Sequence, residues 1–412
     1  MLYNIPNYFV IKTMSVNFTN CLNILPDKNM KTFKILLAAA LATAMLPACT
    51  KSNSDVVLTK SGLNPAAFKA VYEGDSTALY TLTNASGMEV CVTNFGGRIV
   101  SVSVPDKDDN FRDVVLGFDS IQAYFPSANQ TDFGAAIGRY ANRINQGRFT
   151  LDGVEYQLPQ NNYGHCLHGG PDGWQYRVYG VELVSDSSVV LSIDSPDGDS
   201  NFPGNVHATV AYTLSDDNAL SIEYNAYSEA PTIINMTNHS YFNLSGDPAK
   251  PITDQELTIN ASNFTPVDST FMTTGEILPV EGTPMDFRNA KVIGADIERT
   301  DYEQISNGKG FDHNWVLDTA GNAEVEAASV YCPSTGILLQ VYTNEPGIQV
   351  YTGNFLDGTV TGKNNITYNQ RTAICLETQH YPDTPNKPQW PSAVLRPGET
   401  YHSVCTYKFS TK

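Results

Sequence analysis

From about residue 67 onward this chain has no long amphipathic helical stretch, and that absence constrains its fold more than any other feature. In their place stand short runs rich in Val, Ile, Thr and Tyr, such as "ALYTLTN", "HATVAYTLSDD", "ALSIEYNAYSE" and "ILLQVYTNEPGIQVYTG". Gly, Asp, Asn and Pro clusters separate them, the pattern of strands joined by turns. "GRFTLDGVEYQL" predicts a hairpin closing on Asp152-Gly153, a pair that tolerates the positive φ of a type I′ turn. "GADIERT", from Gly294, is one of few short helix candidates. No linker, low-complexity tract or clear repeat interrupts residues 67–412. One large all-β domain, an antiparallel β-sandwich, is the simplest reading, with two fused β modules as the alternative.

Hydrophobic residues are 41% of the 412 and charged residues 17%, so the chain can bury a real core and is not disordered by composition. A formal net charge of −18 would repel phosphate backbones, which argues against nucleic acid as a partner.

Residues 1–48 are set apart from the fold. "MKTFKILLAAALATAMLPAC", Met30 to Cys49, has the order of an export signal. Lys31 and Lys34 precede an apolar stretch, Ile35 to Leu46, that is too short to span a bilayer. Leu46-Pro47-Ala48-Cys49 resembles a bacterial lipobox, which makes Cys49 the expected lipidation site. An ordinary cleaved signal peptide is the alternative. Met30 reads as a better start than Met1. Residues 49–66 form a polar tether. The expected location is therefore the periplasm or outer membrane, with a lipid anchor as the only membrane contact. Cys91, Cys166, Cys332, Cys375 and Cys405 show neither a disulfide framework nor a zinc spacing, and read as small core residues.

Polar residues break the apolar pattern at several places. "TNHSYFNLSG" follows the run Thr232 to Met236, and strand alternation puts Asn235, Thr237 and His239 on one face. A histidine there either projects into a cleft or is tied up by its neighbours. In "TAICLETQHYPDTPN", Glu377 shares a face with Ala373 and Cys375, which leave room above the sheet. A glutamate there must be paired, desolvated or solvated by a cleft. "GAAIGRYANRINQGRF" offers Asn142 and the planar fork of Arg143, suited to hydroxyl pairs or a carboxylate. "GHCLHGGPDGW" carries His165 and His168, three apart, with no third metal ligand in view. "GKGFDHNWVL" holds Asp312 and His313 before an apolar strand, and in "NEPGIQVYTGNF" Gln349 and Tyr351 share a face.

Taken together and in order, "GRYANRI", "LHGG", "TNHSYFNLSG", "GFDHNW", "PGIQVYTGNFLDG" and "CLETQHYPD" resemble the aldose 1-epimerase (galactose mutarotase) family over roughly residues 70–410. The resemblance implies a large β-sandwich whose concave face holds a monosaccharide. It implies His239 as general acid and Glu377 as general base, with Arg143, His168 and Asp312 holding the sugar and Asn142 and Gln349 lining the site. The chain departs from the family pattern at His165-Cys166 and at Tyr179, where a tryptophan is common; the second bears on packing near the sugar. Oligomeric state and the preferred aldose are not readable.

The residue types suit that chemistry. Interconverting α and β pyranoses needs a proton taken from the C1 hydroxyl and one given to the ring oxygen, and the two groups exchange roles on closure. No metal, nucleotide or redox cofactor is required. A glycoside hydrolase would use two carboxylates, for which Glu377 and Asp312 could pose. A sugar-binding protein would need no intact acid–base pair. An epimerase of hexose phosphates would want basic residues at the pocket rim.

Overall fold

The computed structural model describes residues 57–412, and these form one unit. The signal-like segment, Cys49 and residues 50–56 of the expected tether lie outside the described residues. Packing begins before residue 67: the Thr59 amide donates to the Leu63 carbonyl, and Leu63 is buried.

Two large antiparallel sheets face each other. The nine-stranded sheet runs, in spatial order, through Gly180–Val184, Ser188–Ser195, Val206–Leu214, Ala219–Ser228, Tyr401–Thr411, Ile337–Thr343, Glu326–Tyr331, Glu256–Ile259 and Lys291–Val292. Its long strands alternate buried and more exposed residues, so one face meets the core and the other solvent. Leu191, Val210, Ile222, Val341, Tyr407 and Phe409 are among its inward residues. Each buried aliphatic side chain of this kind contributes about 1.5–3 kcal/mol of transfer free energy.

The six-stranded sheet orders Tyr241–Phe242, Ile374–Gln379, Gly347–Tyr351, Asp312–Val316, Asn263–Thr265 and Leu278–Pro279. Ile374, Leu376, Ile348, Val350, Trp315 and Phe264 pack into the same core as the nine-stranded sheet. The Tyr407 hydroxyl crosses between the sheets to donate to the Leu376 carbonyl at 2.8 Å. Every residue of Ile374–Gln379 and of Gly347–Tyr351 is buried, which marks a sheet covered on both faces. The second face carries the polar groups described below. The sandwich reading thus holds.

Local expectations fare unevenly. The hairpin pairs Arg148–Leu151 with Val154–Gln157, and Asp152 and Gly153 both take positive φ. The segment at Gly294 is only a 3-10 turn, Ile293–Ala295, and among the described residues the one α-helix is Glu303–Gly308. Neither it nor any other described helix is long and apolar enough to cross a membrane. The run Thr232 to His239 is not a continuous strand. It pairs at Thr232–Ile233 with Val394–Leu395 and again at Thr237–His239 with Ala135–Ile137. Between them Asn235 joins three segments. Its amide donates to the Arg139 carbonyl, its carbonyl accepts from Ala141, and its side-chain oxygen accepts from the His380 amide. The five cysteines are free and buried.

Candidate active site

Register builds the polar face of the six-stranded sheet. Antiparallel pairing sets Glu377 opposite Gln349 and Gln349 opposite Asn314. One row over, Tyr241 faces Cys375, Cys375 faces Tyr351, and Tyr351 faces Asp312. Alternation puts these two rows on one side and Leu376, Val350 and His313 on the other. His313 is therefore a core residue. Burial pushes its pKa down to about 3, so it stays neutral.

Above this face lies a cavity of about 330 Å³, within the size range of small-molecule sites. Asn142, Arg143, His168, His239, Asp312 and Glu377 line it. Gln349 does not. Its side-chain amide donates to Asp312 Oδ1 at 2.7 Å. The resemblance places Gln349 among the residues that line the site, and its bond to Asp312 orients that carboxylate.

His239 Nε2 lies 3.5 Å from Glu377 Oε1. Tyr241 stacks beneath the His239 ring at 5.0 Å between centroids, and His168 meets its edge at 5.2 Å. The strand Thr237–His239 is pinned beside the glutamate's strand by Thr237 Oγ1, which donates to the Thr378 carbonyl at 2.9 Å. Burial shifts both members of the pair toward their neutral forms. It raises the Glu377 carboxyl well above its usual range, helped by Asp312 and Asp132 and opposed by Arg143. It lowers the His239 imidazole, against the opposing charge of Asp132.

The tautomer of His168 follows from its partner. The Asn142 amide donates to His168 Nδ1 at 3.1 Å, so the ring proton sits on Nε2. Burial holds this ring well below the ordinary histidine range, with His239 and Arg143 adding to the effect. His168 is then a neutral donor facing the cavity. Asn142 reaches this position through a positive φ of 63°, a conformation asparagine tolerates. Arg143 lies over the Phe271 ring, 5.0 Å from its centroid, and donates from Nε and Nη2 to Asn162 Oδ1. Among the described residues it forms no ion pair with a carboxylate.

His165 is directed elsewhere. Its Nδ1 accepts from the Gln146 amide, and its Nε2 lies 2.9 Å from the Thr270 hydroxyl. With both rings accepting backbone N–H groups at Nδ1, His165 and His168 do not form a ligand pair. Asp132, His168 and His239 also come within 4.8 Å of one another, but the Nε2 proton makes the His168 nitrogen on the cavity a donor and not a ligand.

A second cleft of about 360 Å³ surrounds Glu345, His380 and Tyr401. There His380 Nδ1 sits 2.7 Å from Glu345 Oε2, and the Tyr401 hydroxyl donates to Oε1 at 3.1 Å. That carboxylate is held on both oxygens by these two partners.

A family model described as aldose 1-epimerase matches residues 78–408. The chain belongs to the aldose 1-epimerase family. It is 40% identical over 346 residues to a galactose mutarotase of Homo sapiens, covering 84% of this chain and 98% of that one. It is 38% identical over 339 residues to an aldose 1-epimerase of Escherichia coli, with coverages of 82% and 96%. Among solved structures, an aldose epimerase homologue from C. elegans aligns with a TM-score of 0.73 at 31% identity, covering 81% of this chain and 99% of that one.

In this member of the aldose 1-epimerase family, the sequence named Asn142, Arg143, His168, His239, Asp312 and Glu377 of the cavity wall and missed, among others, Asp132, Asn162, Tyr163, Tyr241 and Phe355. Tyr241 was visible as two residues beyond His239 but read only as resumed core. Tyr179 is buried, donates weakly to the Ala136 carbonyl at 3.4 Å, and does not reach the cavity.

Proposed function

We propose that this enzyme interconverts the α and β anomers of free aldoses, with Glu377 and His239 as its proton-transfer pair. The observation that carries the assignment is the 3.5 Å approach of His239 Nε2 to Glu377 Oε1 at the floor of a sugar-sized cavity. The two oxygens that exchange protons in ring opening are bonded to the same carbon, so the groups serving them must be close neighbours.

Ring opening removes the O1 proton to Glu377 while His239 delivers a proton to O5. The C1–O5 bond breaks, and C1 becomes a carbonyl. Rotation about C1–C2 presents the other carbonyl face. Closure then returns the Glu377 proton to the carbonyl oxygen, and His239 recovers the hydroxyl proton as O5 attacks. The pair holds one proton throughout. It moves between the ionic form, carboxylate with imidazolium, and the neutral form, carboxyl with imidazole. Burial disfavours the ionic form and so brings the two forms closer in energy than free glutamate and histidine would be, which suits a reversible transfer. The Nε2 proton of neutral His168 and the guanidinium of Arg143 supply donors to sugar oxygens that gain charge.

The pair titrates as a unit, and its pH dependence has a definite sign. A second proton enters only below the ordinary histidine value of 6.5, because burial lowers the imidazole. The last proton leaves well above 4.5, because burial and Asp312 raise the carboxyl. Polarimetry of fresh α-D-glucose and α-D-galactose should show acceleration by the purified protein. Its kcat/KM should fall on an acid limb lying below 6.5. No acceleration of either sugar would refute the activity; an acid limb at or above 6.5 would refute the coupling.

We also propose export and lipid anchoring at Cys49, on the lipobox pattern of residues 46–49. Cells fed a clickable fatty acid should label the protein, and a Cys49→Ser variant should not. Equal labelling of the two would end the anchoring proposal.

A further inference from the structure

Asp132 is an acidic side chain on the cavity wall that the acid–base mechanism leaves unused. Its Oδ1 is buried and has no hydrogen-bond partner among the described residues. A carboxylate oxygen so placed, beside a polar cavity, lacks the partner that buried charges ordinarily have. Two neighbours lie near this carboxylate without bonding that oxygen: the Tyr176 hydroxyl meets the Asp132 side chain, and the guanidinium of Arg98, whose charge also acts on Asp132, donates to the carbonyls of Phe133 and Gln175.

The position of Asp132 is set by the backbone. The Ala135 amide donates to the Asp132 carbonyl at 3.0 Å, and the Gly134 amide donates to the His239 carbonyl at 2.9 Å. Gly134 has φ +69°, and a Cβ there would lie 1.9 Å from the Ile99 carbonyl oxygen, so only glycine permits this approach. Pairing then sets Ala135 opposite His239. On its other side the same histidine strand is pinned to the strand of Glu377. The order across the floor is therefore Asp132, His239, Glu377. Asp132 comes within 4.8 Å of ring nitrogens of both His168 and His239, and the close group made by His239, Cys375 and Glu377 does not include it.

A pyranose has a matching order. O1 and O5 share C1, and the next atom past O5 is C5, which carries the hydroxymethyl group of a hexose. With O1 at Glu377 and O5 at His239, the hydroxymethyl group falls on the Asp132 side. We propose that Asp132 accepts a hydrogen bond from the 6-hydroxyl of a hexopyranose and makes the enzyme discriminate for that group. This rests on the proposed anomer-interconverting activity and adds a specificity-determining residue to it.

The probe is 6-deoxy-D-galactose, which differs from D-galactose only in lacking that hydroxyl. A hydrogen bond to a charged acceptor changes binding by about ten- to a hundredfold, since leaving the carboxylate unpaired adds to the loss. The unmodified protein should therefore show kcat/KM ten- to a hundredfold higher for galactose than for its 6-deoxy analogue. In Asp132→Ala that ratio should fall close to one, and Asp132→Asn, which keeps volume and an acceptor oxygen, should fall between. Circular dichroism and a thermal midpoint check folding. A wild-type ratio near one overturns the proposal without any variant, as does an undiminished ratio in a folded Asp132→Ala. Failure of the unmodified protein to accelerate either sugar would instead overturn the activity, and the subsite with it.

Discussion

Glu377→Gln and His239→Asn should each lower kcat by ~10²–10⁴-fold, about 3–5 kcal/mol of barrier, with KM changed far less. Glutamine keeps the shape of glutamate and asparagine keeps a polar amide in place of the imidazole, and both remove the ability to exchange a proton. The two losses should not add. Once either partner cannot exchange, the other has no cycle to complete, so the double variant should sit near the worse single one. Stability should move the other way for the glutamate. Burial and the charge of Asp312 raise its carboxyl pKa in the folded state above the unfolded value near 4.5. A raised folded pKa means stability that is fully present below about 4.5 and is lost as pH rises through the folded value. Above 4.5 the buried carboxyl therefore costs stability, and glutamine removes that cost. Glu377→Gln should unfold at or above the wild-type midpoint while nearly inactive. An active Glu377→Gln would remove the base assignment. A variant that lost activity together with a lowered midpoint would show that the glutamate also holds the structure.

This division between chemistry and structure explains what was legible in the sequence. The strand texture and the Asp152-Gly153 turn depend on local preferences, so they read directly. Glu377 stood out as a carboxylate ending an apolar run, and His239 as part of a polar break between two apolar runs. Alternation could not decide which polar residues face the cavity, since the six-stranded sheet is buried on both sides. It put Gln349 and Tyr351 on one face, yet Tyr351 lines the cavity while Gln349 donates to Asp312. His313 is adjacent to Asp312 in sequence and on the opposite face. Asp132 and Tyr241 reach the site through pairing between Ala135–Ile137 and Thr237–His239 and between Tyr241 and Cys375. These segments are a hundred or so residues apart, and no local pattern encodes that register. The helix expected at Gly294 failed for a related reason: the Gly294 amide bonds to the Thr253 carbonyl of another segment, which leaves room for only one 3-10 turn.

Arg139 and Arg143 make the sharpest case, because one motif, "GRYANR", holds both and the structure gives them opposite tasks. Arg139 is buried among backbone carbonyls. Its Nη1 donates to Pro203 and Gly204, and its Nη2 to the carbonyl and hydroxyl of Ser195, at 2.6–3.0 Å. Burial lowers its pKa to about 10, which still leaves it charged at neutral pH. Arg139→Met should therefore strand several buried acceptors, each costing about 1–3 kcal/mol, and destabilise the fold by on the order of 3–5 kcal/mol. Arg139→Lys should recover only part of this, because one ammonium cannot reproduce the planar fork. Arg143, past the left-handed turn at Asn142, donates to a single side chain, Asn162, and faces the cavity. Arg143→Met should keep most of the stability, since methionine can still lie along Phe271, and should raise KM about tenfold or more through lost hydroxyl contacts. Urea unfolding and polarimetry on the same two proteins separate the cases. Equal loss of stability in both would mean that Arg143 is structural too, and the sugar would then have to be held from the Asp312 and His168 side alone.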